Sequence, residues 1–251
     1  MIFLRSLLFM VGVVPLTIVI SLLLNLARPL PFRVRYRIGV AWRKGFLWLS
    51  RYVLGIRVKV KGLENVPKEP CIVLAKHQSA WETVGLQEYF PPVVFVLKRE
   101  LLSVPFFGWG LATLKMISIN RRAGRDSLMQ VVEQGRERLK QGIGVIIFPE
   151  GTRVAAGKKG RYKIGGAHLA IHAGAKVVPV AHNAGELWPR QAFLKRPGTI
   201  TVSIGPVIDP TGMTETALNA QVEAWIEGEM AQISRGHRKS HGRAAEPAQG
   251  A

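Results

Sequence analysis

In the stretch Lys76-His-Gln-Ser-Ala-Trp-Glu-Thr83 a histidine, His77, stands five residues ahead of a carboxylate, Glu82. A carboxylate that holds an imidazole fixes its tautomer and stabilises the imidazolium formed when the ring takes up a proton, which is what general-base catalysis requires. The structural alternative is that Glu82 reaches back to the Ser79 backbone N–H in a capping box and that His77 is an ordinary loop residue. Spacing constrains the first possibility. On one straight helix, side chains five apart point about 140° away from each other, so the two can meet only if His77 lies in a turn and Glu82 in the first turn of the helix after it.

The flanking residues supply those elements. Cys71-Ile-Val-Leu-Ala75, bounded by Pro70, has the composition of a buried strand, which puts His77 at a strand's carboxyl end. Ser79-Ala-Trp-Glu82 starts a helix predicted over Ala80 to Tyr89, before Pro91-Pro92. Further strands are expected at Ile56 to Val60, Val93 to Leu97, Met116 to Ile119, Gly144 to Phe148, Lys176 to Ala181 and Ile200 to Ile204. Helices are expected at Asp126 to Lys140, Gly165 to Ala173 and Glu215 to Ser234. This alternation predicts an α/β fold, a largely parallel mixed sheet flanked by helices, over residues 56–234.

Ligands of such sheets collect at the carboxyl ends of the strands. Lys98, Asn120 with Arg121, and Pro149-Glu-Gly-Thr-Arg153 all follow predicted strands, as His77 does. One histidine–carboxylate pair and three cations on one rim suit a substrate that carries a phosphate and a group to be deprotonated.

Residues 1–55 have a different character. No charge occurs from Ser6 to Ala27, a run that as a helix reaches about 33 Å and matches a hydrocarbon core of about 30 Å. Pro15 in its middle keeps a bent helix embedded in one leaflet open beside a span. Arg33 to Leu54 repeats apolar residues at helical spacing, accompanied by basic residues and by Trp42 and Trp48. That suits a helix on an anionic membrane surface or one packed on the globular domain. The cluster of basic residues after the apolar run places the rest of the chain on the cytoplasmic side. Residues 235–251 are basic, then rich in Ala, Gly and Pro, and are predicted to be disordered.

Composition bounds the partners. A net charge of +19 over 251 residues calls for an anionic surface. The single cysteine excludes disulfide frameworks and multi-cysteine zinc patterns. The GxSxG elbow, the P-loop and GxGxxG are absent, and no nucleic-acid-binding signature occurs. His168 and His172 share a helical face, but HLAIH contains no carboxylate, so a packed helix is expected there and no metal site.

Together these segments resemble the glycerolipid acyltransferase family that includes the 1-acyl-sn-glycerol-3-phosphate acyltransferases. The family's His-x-x-x-x-Asp block is matched by His77 to Glu82, with glutamate in the aspartate's place. Lys98-Arg-Glu-Leu101, Pro105-Phe-Phe-Gly108 and Ile119-Asn-Arg121 follow in order, then Phe-Pro-Glu-Gly-Thr-Arg as Phe148 to Arg153, and Val177-Val-Pro-Val180. The resemblance implies acyl transfer from a thioester to the sn-2 hydroxyl of 1-acyl-glycerol-3-phosphate, giving phosphatidic acid without a covalent acyl-enzyme. It makes His77 the base, Glu82 its orienting partner, and Lys98, Arg121 and Arg153 the ligands of the glycerol phosphate. Glu150, Gly151 and Thr152 would shape that pocket, with Lys163 assisting. No cofactor is implied; the co-substrate is acyl-coenzyme A or acyl carrier protein, and the other partners are lysophosphatidic acid and the phospholipid surface of the cytoplasmic membrane. Two rivals remain: another lysolipid acceptor, such as a lyso-ornithine lipid, and a non-enzymatic basic module tethered to the membrane that binds anionic lipid or nucleic acid.

Overall fold

The computed structural model describes residues 1–120 and 123–234. Arg121 and the segment 235–251 lie outside the described residues. The strands are β1 (Ile56–Lys61), β2 (Ile72–Ala75), β3 (Val93–Lys98), β4 (Ile117–Ile119), β5 (Gly144–Ile147), β6 (Val177–His182) and β7 (Gly198–Ile204). They form one sheet of order β1-β7-β6-β2-β5-β3-β4. From β6 through β4 neighbouring strands are parallel, β7 is antiparallel to β6, and β1 is parallel to β7. The carboxyl ends of β2 to β6 therefore share one rim.

The central strands read as unbroken apolar runs because both faces are covered. All four residues of β2 are buried, and alternation divides them: Val73 and Ala75 join one core, Ile72 and Leu74 the other. Helix α1 (Ile2–Leu26), α2 (Phe32–Tyr52) and α3 (Trp81–Gly85) contribute to the first core. The second is closed by α5 (Arg125–Lys140), α6 (Gly165–Ala173) and α8 (Glu215–Ile233). Two short helices, α4 (Phe107–Thr113) and α7 (Ala184–Leu187), complete the order and were not foreseen. Each is too short to show an apolar repeat, and α4 carries two glycines. The helix predicted to Tyr89 instead ends at Gly85 and tightens into a 3₁₀ turn at Leu86–Glu88.

Helix α1 runs unbroken through Pro15 and docks along its length. Three of its polar side chains bond to the rest of the chain. Ser6 Oγ accepts the Lys195 N–H at 2.9 Å, Thr17 Oγ1 accepts Trp42 Nε1–H at 2.9 Å, and Ser21 Oγ donates to the Phe106 carbonyl. Leu4, Leu8, Val11, Val14, Leu22 and Leu23 are exposed. A helix with a docked polar side and an open apolar side could anchor the chain to a membrane.

Candidate active site

β2 ends at Ala75, and the chain turns through Lys76 to Ala80 before α3 begins at Trp81. That turn brings together two residues a continuous helix would hold apart: His77 Nδ1 lies 2.9 Å from Glu82 Oε1. The same oxygen accepts the backbone N–H groups of Gln78 at 2.8 Å and Ser79 at 2.7 Å. Glu82 thus makes both the capping contact and the histidine contact. Its side chain is fully buried. Burial pushes its carboxyl up, but the field of the His182 ring, the bond to His77 and the Ser79 N–H outweigh that and hold it below its ordinary value.

His77 is fixed from every side. Its ring stacks on Phe148 with centroids 4.1 Å apart, its carbonyl accepts the Val154 N–H at 2.8 Å, and its own N–H donates to Glu150 Oε2 at 2.8 Å. With Nδ1–H donated to an ionised carboxylate, Nε2 is the nitrogen free to accept a proton.

His77 lines a cleft of about 720 Å³ at the strand rim, together with Lys98, Gly151, Thr152, Arg153, Lys163 and Arg190. Gly151 has a φ of +67°, and a Cβ there would lie 3.1 Å from Lys163 Nζ, so glycine lets the lysine cross the loop. Beside the cleft lies an apolar cavity of about 340 Å³ lined largely by α1, α2, α3 and α4. Thr83, Phe95, Leu101 and Arg153 line both spaces. An imidazole held by a carboxylate, a set of cations and an apolar cavity are therefore contiguous, an arrangement able to activate a hydroxyl on an amphiphile with an anionic head group.

The family profile described as Acyltransferase matches residues 57–183, which contain this whole set of motifs. A Pseudomonas aeruginosa protein named 1-acyl-sn-glycerol-3-phosphate acyltransferase is 52% identical over 209 residues, 82% of this chain and 81% of that protein. The chain belongs to the acyltransferase family. A Mus musculus member, 1-acyl-sn-glycerol-3-phosphate acyltransferase alpha, is 30% identical over 169 residues, 66% of this chain but only 59% of the mouse protein. The crystal structure of the 1-acyl-sn-glycerophosphate (LPA) acyltransferase PlsC from Thermotoga maritima matches 94% of this chain and 100% of that one, with a TM-score of 0.71. At 24% identity this likeness shows a shared fold.

Among the residues carried over from the family pattern, the structure gathers His77, Glu82, Lys98, Gly151, Thr152, Arg153 and Lys163 around one space. Arg121 lies outside the described residues. Glu150, expected to shape the pocket, has a fully buried side chain that does not itself line the cleft. Its carboxylate faces inward, to the His77 N–H and to Lys76 Nζ at 2.7 Å.

Lys76 itself is wholly buried, a position a lysine occupies only when paired. Its second carboxylate, Glu227 of α8, is 2.7 Å away, and Tyr162 donates to the same Glu227 oxygen at 2.8 Å. Burial pushes the Glu150 carboxyl up even against the pull of Lys76. On the other side, His182 at the end of β6 donates Nε2–H to the Lys76 carbonyl at 2.7 Å, while its Nδ1 accepts the Ala184 N–H at 3.3 Å. Full burial lowers the pKa of that ring, against the opposing pull of the Glu82 carboxylate. Lys76, His182 and Glu227 all support the turn bearing His77, and none was expected from sequence. Only Lys76 left a local trace, a lysine closing an apolar strand.

Proposed function

We propose that the chain transfers an acyl group from a thioester to the sn-2 hydroxyl of 1-acyl-glycerol-3-phosphate, giving phosphatidic acid. The observation that carries this is the His77–Glu82 pair opening onto a cation-lined cleft continuous with an apolar cavity. The names of the relatives point to the same acceptor. His77 Nε2 takes the hydroxyl proton as the oxygen attacks the thioester carbonyl carbon. The C–S bond then breaks, and the imidazolium returns the proton to the departing thiolate. Glu82 stabilises that imidazolium in the interval. Lys98, Arg153 and Lys163 hold the phosphate, Arg121 acts with them, and Arg190 at the same rim adds a further cation. The apolar cavity takes an acyl chain.

The exposed apolar side of α1 inserts into the cytoplasmic leaflet, and the exposed Arg33, Arg37, Lys44 and Arg51 of α2 meet anionic head groups. Embedding in one leaflet fits the docking of Ser6, Thr17 and Ser21 better than a free span does. Coenzyme A or an acyl carrier protein presents the thioester.

The test is acyl transfer by detergent-solubilised protein from a long-chain thioester to a panel of lysolipids. Phosphatidic acid formed from lysophosphatidic acid in strong preference to products from lyso-ornithine lipid or lysophosphatidylcholine supports this function. Product only from another lysolipid overturns the acceptor assignment.

A further inference from the structure

The face of the molecule formed by α6 and α8 carries a second constellation, separate from the cleft. His168 and His172 sit one turn apart on α6, with ring centroids 4.1 Å apart. HLAIH lacks a carboxylate of its own, but the fold supplies one. Glu215, the first residue of α8, brings Oε1 to 2.6 Å from His168 Nδ1 and 3.7 Å from His172 Nδ1. One donor atom from each of the three residues lies within 4.8 Å of the other two.

We infer that His168, His172 and Glu215 form a binding site for a divalent transition-metal ion of the zinc type, clipping α6 to α8. Two imidazoles and one carboxylate suit zinc, cobalt or nickel, whereas magnesium and calcium prefer all-oxygen sets. Three protein donors leave a position for water, and the side chain of His172, 46% exposed, gives an ion access from solvent. Packing places the two helices: Leu169 and Ala170 of α6 are buried in one core with Leu218 and Val222 of α8. His172 Nδ1 hydrogen-bonds the His168 carbonyl at 2.9 Å, and the ring turns from it to ligate. Thr214 caps α8 by accepting the Ala217 N–H, which fixes the turn bearing Glu215. With Zn–N and Zn–O distances of about 2.0–2.2 Å, tetrahedral donors stand roughly 3.3 Å apart, so an ion replacing the shared proton moves Glu215 from His168 by under about 1 Å. Rotation of a glutamate at a partly exposed helix end supplies that.

The clip joins two elements that frame the active site from outside. Gly165 and Gly166 of α6 line the cleft, and Glu227 of α8 pairs with Lys76. Its role is structural, with no part in the acyl-transfer step.

The experiment uses the full chain, made without a polyhistidine tag and stripped with a chelator. Zinc chloride is titrated calorimetrically, cobalt binding is followed by its visible absorption, and Tm is measured with and without zinc. One equivalent should bind the wild type and raise Tm. His168→Ala, His172→Ala and Glu215→Gln should each weaken binding at least about tenfold and abolish the Tm rise, with acyl transfer of the metal-free protein unchanged. Absence of zinc binding overturns the proposal. So does binding that survives all three substitutions, which would place the ion elsewhere, for instance at His237 and His241.

Discussion

Glu150 accepts the backbone N–H of His77 at 2.8 Å, so a residue of the Phe148 to Arg153 motif is tied to the turn that carries the histidine. Glu150→Gln keeps an acceptor for that N–H but leaves Lys76 with Glu227 alone. Loss of one member of a buried ionic set costs about 3 kcal/mol of stability. The variant should lose kcat while KM for the lysolipid stays near the wild-type value, whereas Arg153→Ala should raise KM. Steady-state kinetics decide this. A Glu150→Gln enzyme with normal kcat and raised KM would return the carboxylate to the phosphate site.

His182 gives stability a defined pH dependence. Its pKa is lowered from 6.5 by burial, so the unfolded chain gains a proton near that pH while the folded chain refuses it until lower pH. No penalty exists above about pH 6.5. Below it, stability falls with a slope of up to about 1.4 kcal/mol per pH unit. His182→Gln keeps a donor for the Lys76 carbonyl and cannot titrate. Urea midpoints between pH 5 and 8, roughly the range over which an ordinary histidine changes charge, should show a shallower acid limb in the variant. Identical limbs would mean that His182 carries no such linkage.

Much of the sheet was legible because buried parallel strands are apolar on both faces, as Ile72–Ala75 and Gly144–Ile147 are. The His77–Glu82 contact was legible because a short turn joins His77 to the first turn of the helix that carries Glu82. The supports of that turn were not. Lys76 meets Glu227 across 151 residues of sequence and His182 across 106, and no local period encodes such pairs. Nor does local sequence encode the pairing of Lys159 with Glu223 of α8 at 2.6 Å.

Glu82 accepts from His77, Gln78 and Ser79 with a single oxygen, and the longer side chain reaches the imidazole directly. Glu82→Gln removes the charge that stabilises the imidazolium and should lower kcat by roughly 10²-fold or more. Glu82→Asp should retain more activity than Glu82→Gln, since it keeps the charge and shortens only the reach. Equal loss in both would show that reach, and not charge, sets the contribution of this residue.

Thr83 stands where the cation-lined cleft meets the apolar cavity. Thr83→Phe should narrow the junction and lower activity with long acyl chains more than with short ones. Competition between thioesters of different chain length measures the ratio. An unchanged ratio would place the acyl chain outside this cavity.

The most direct test of His77 as the base is turnover of lysophosphatidic acid by His77→Ala beside the wild type, in detergent and at saturating thioester. Removal of a general base should lower the rate by roughly 10²- to 10⁴-fold, with the thermal transition retained. A folded His77→Ala protein that turns over at the wild-type rate would contradict the account.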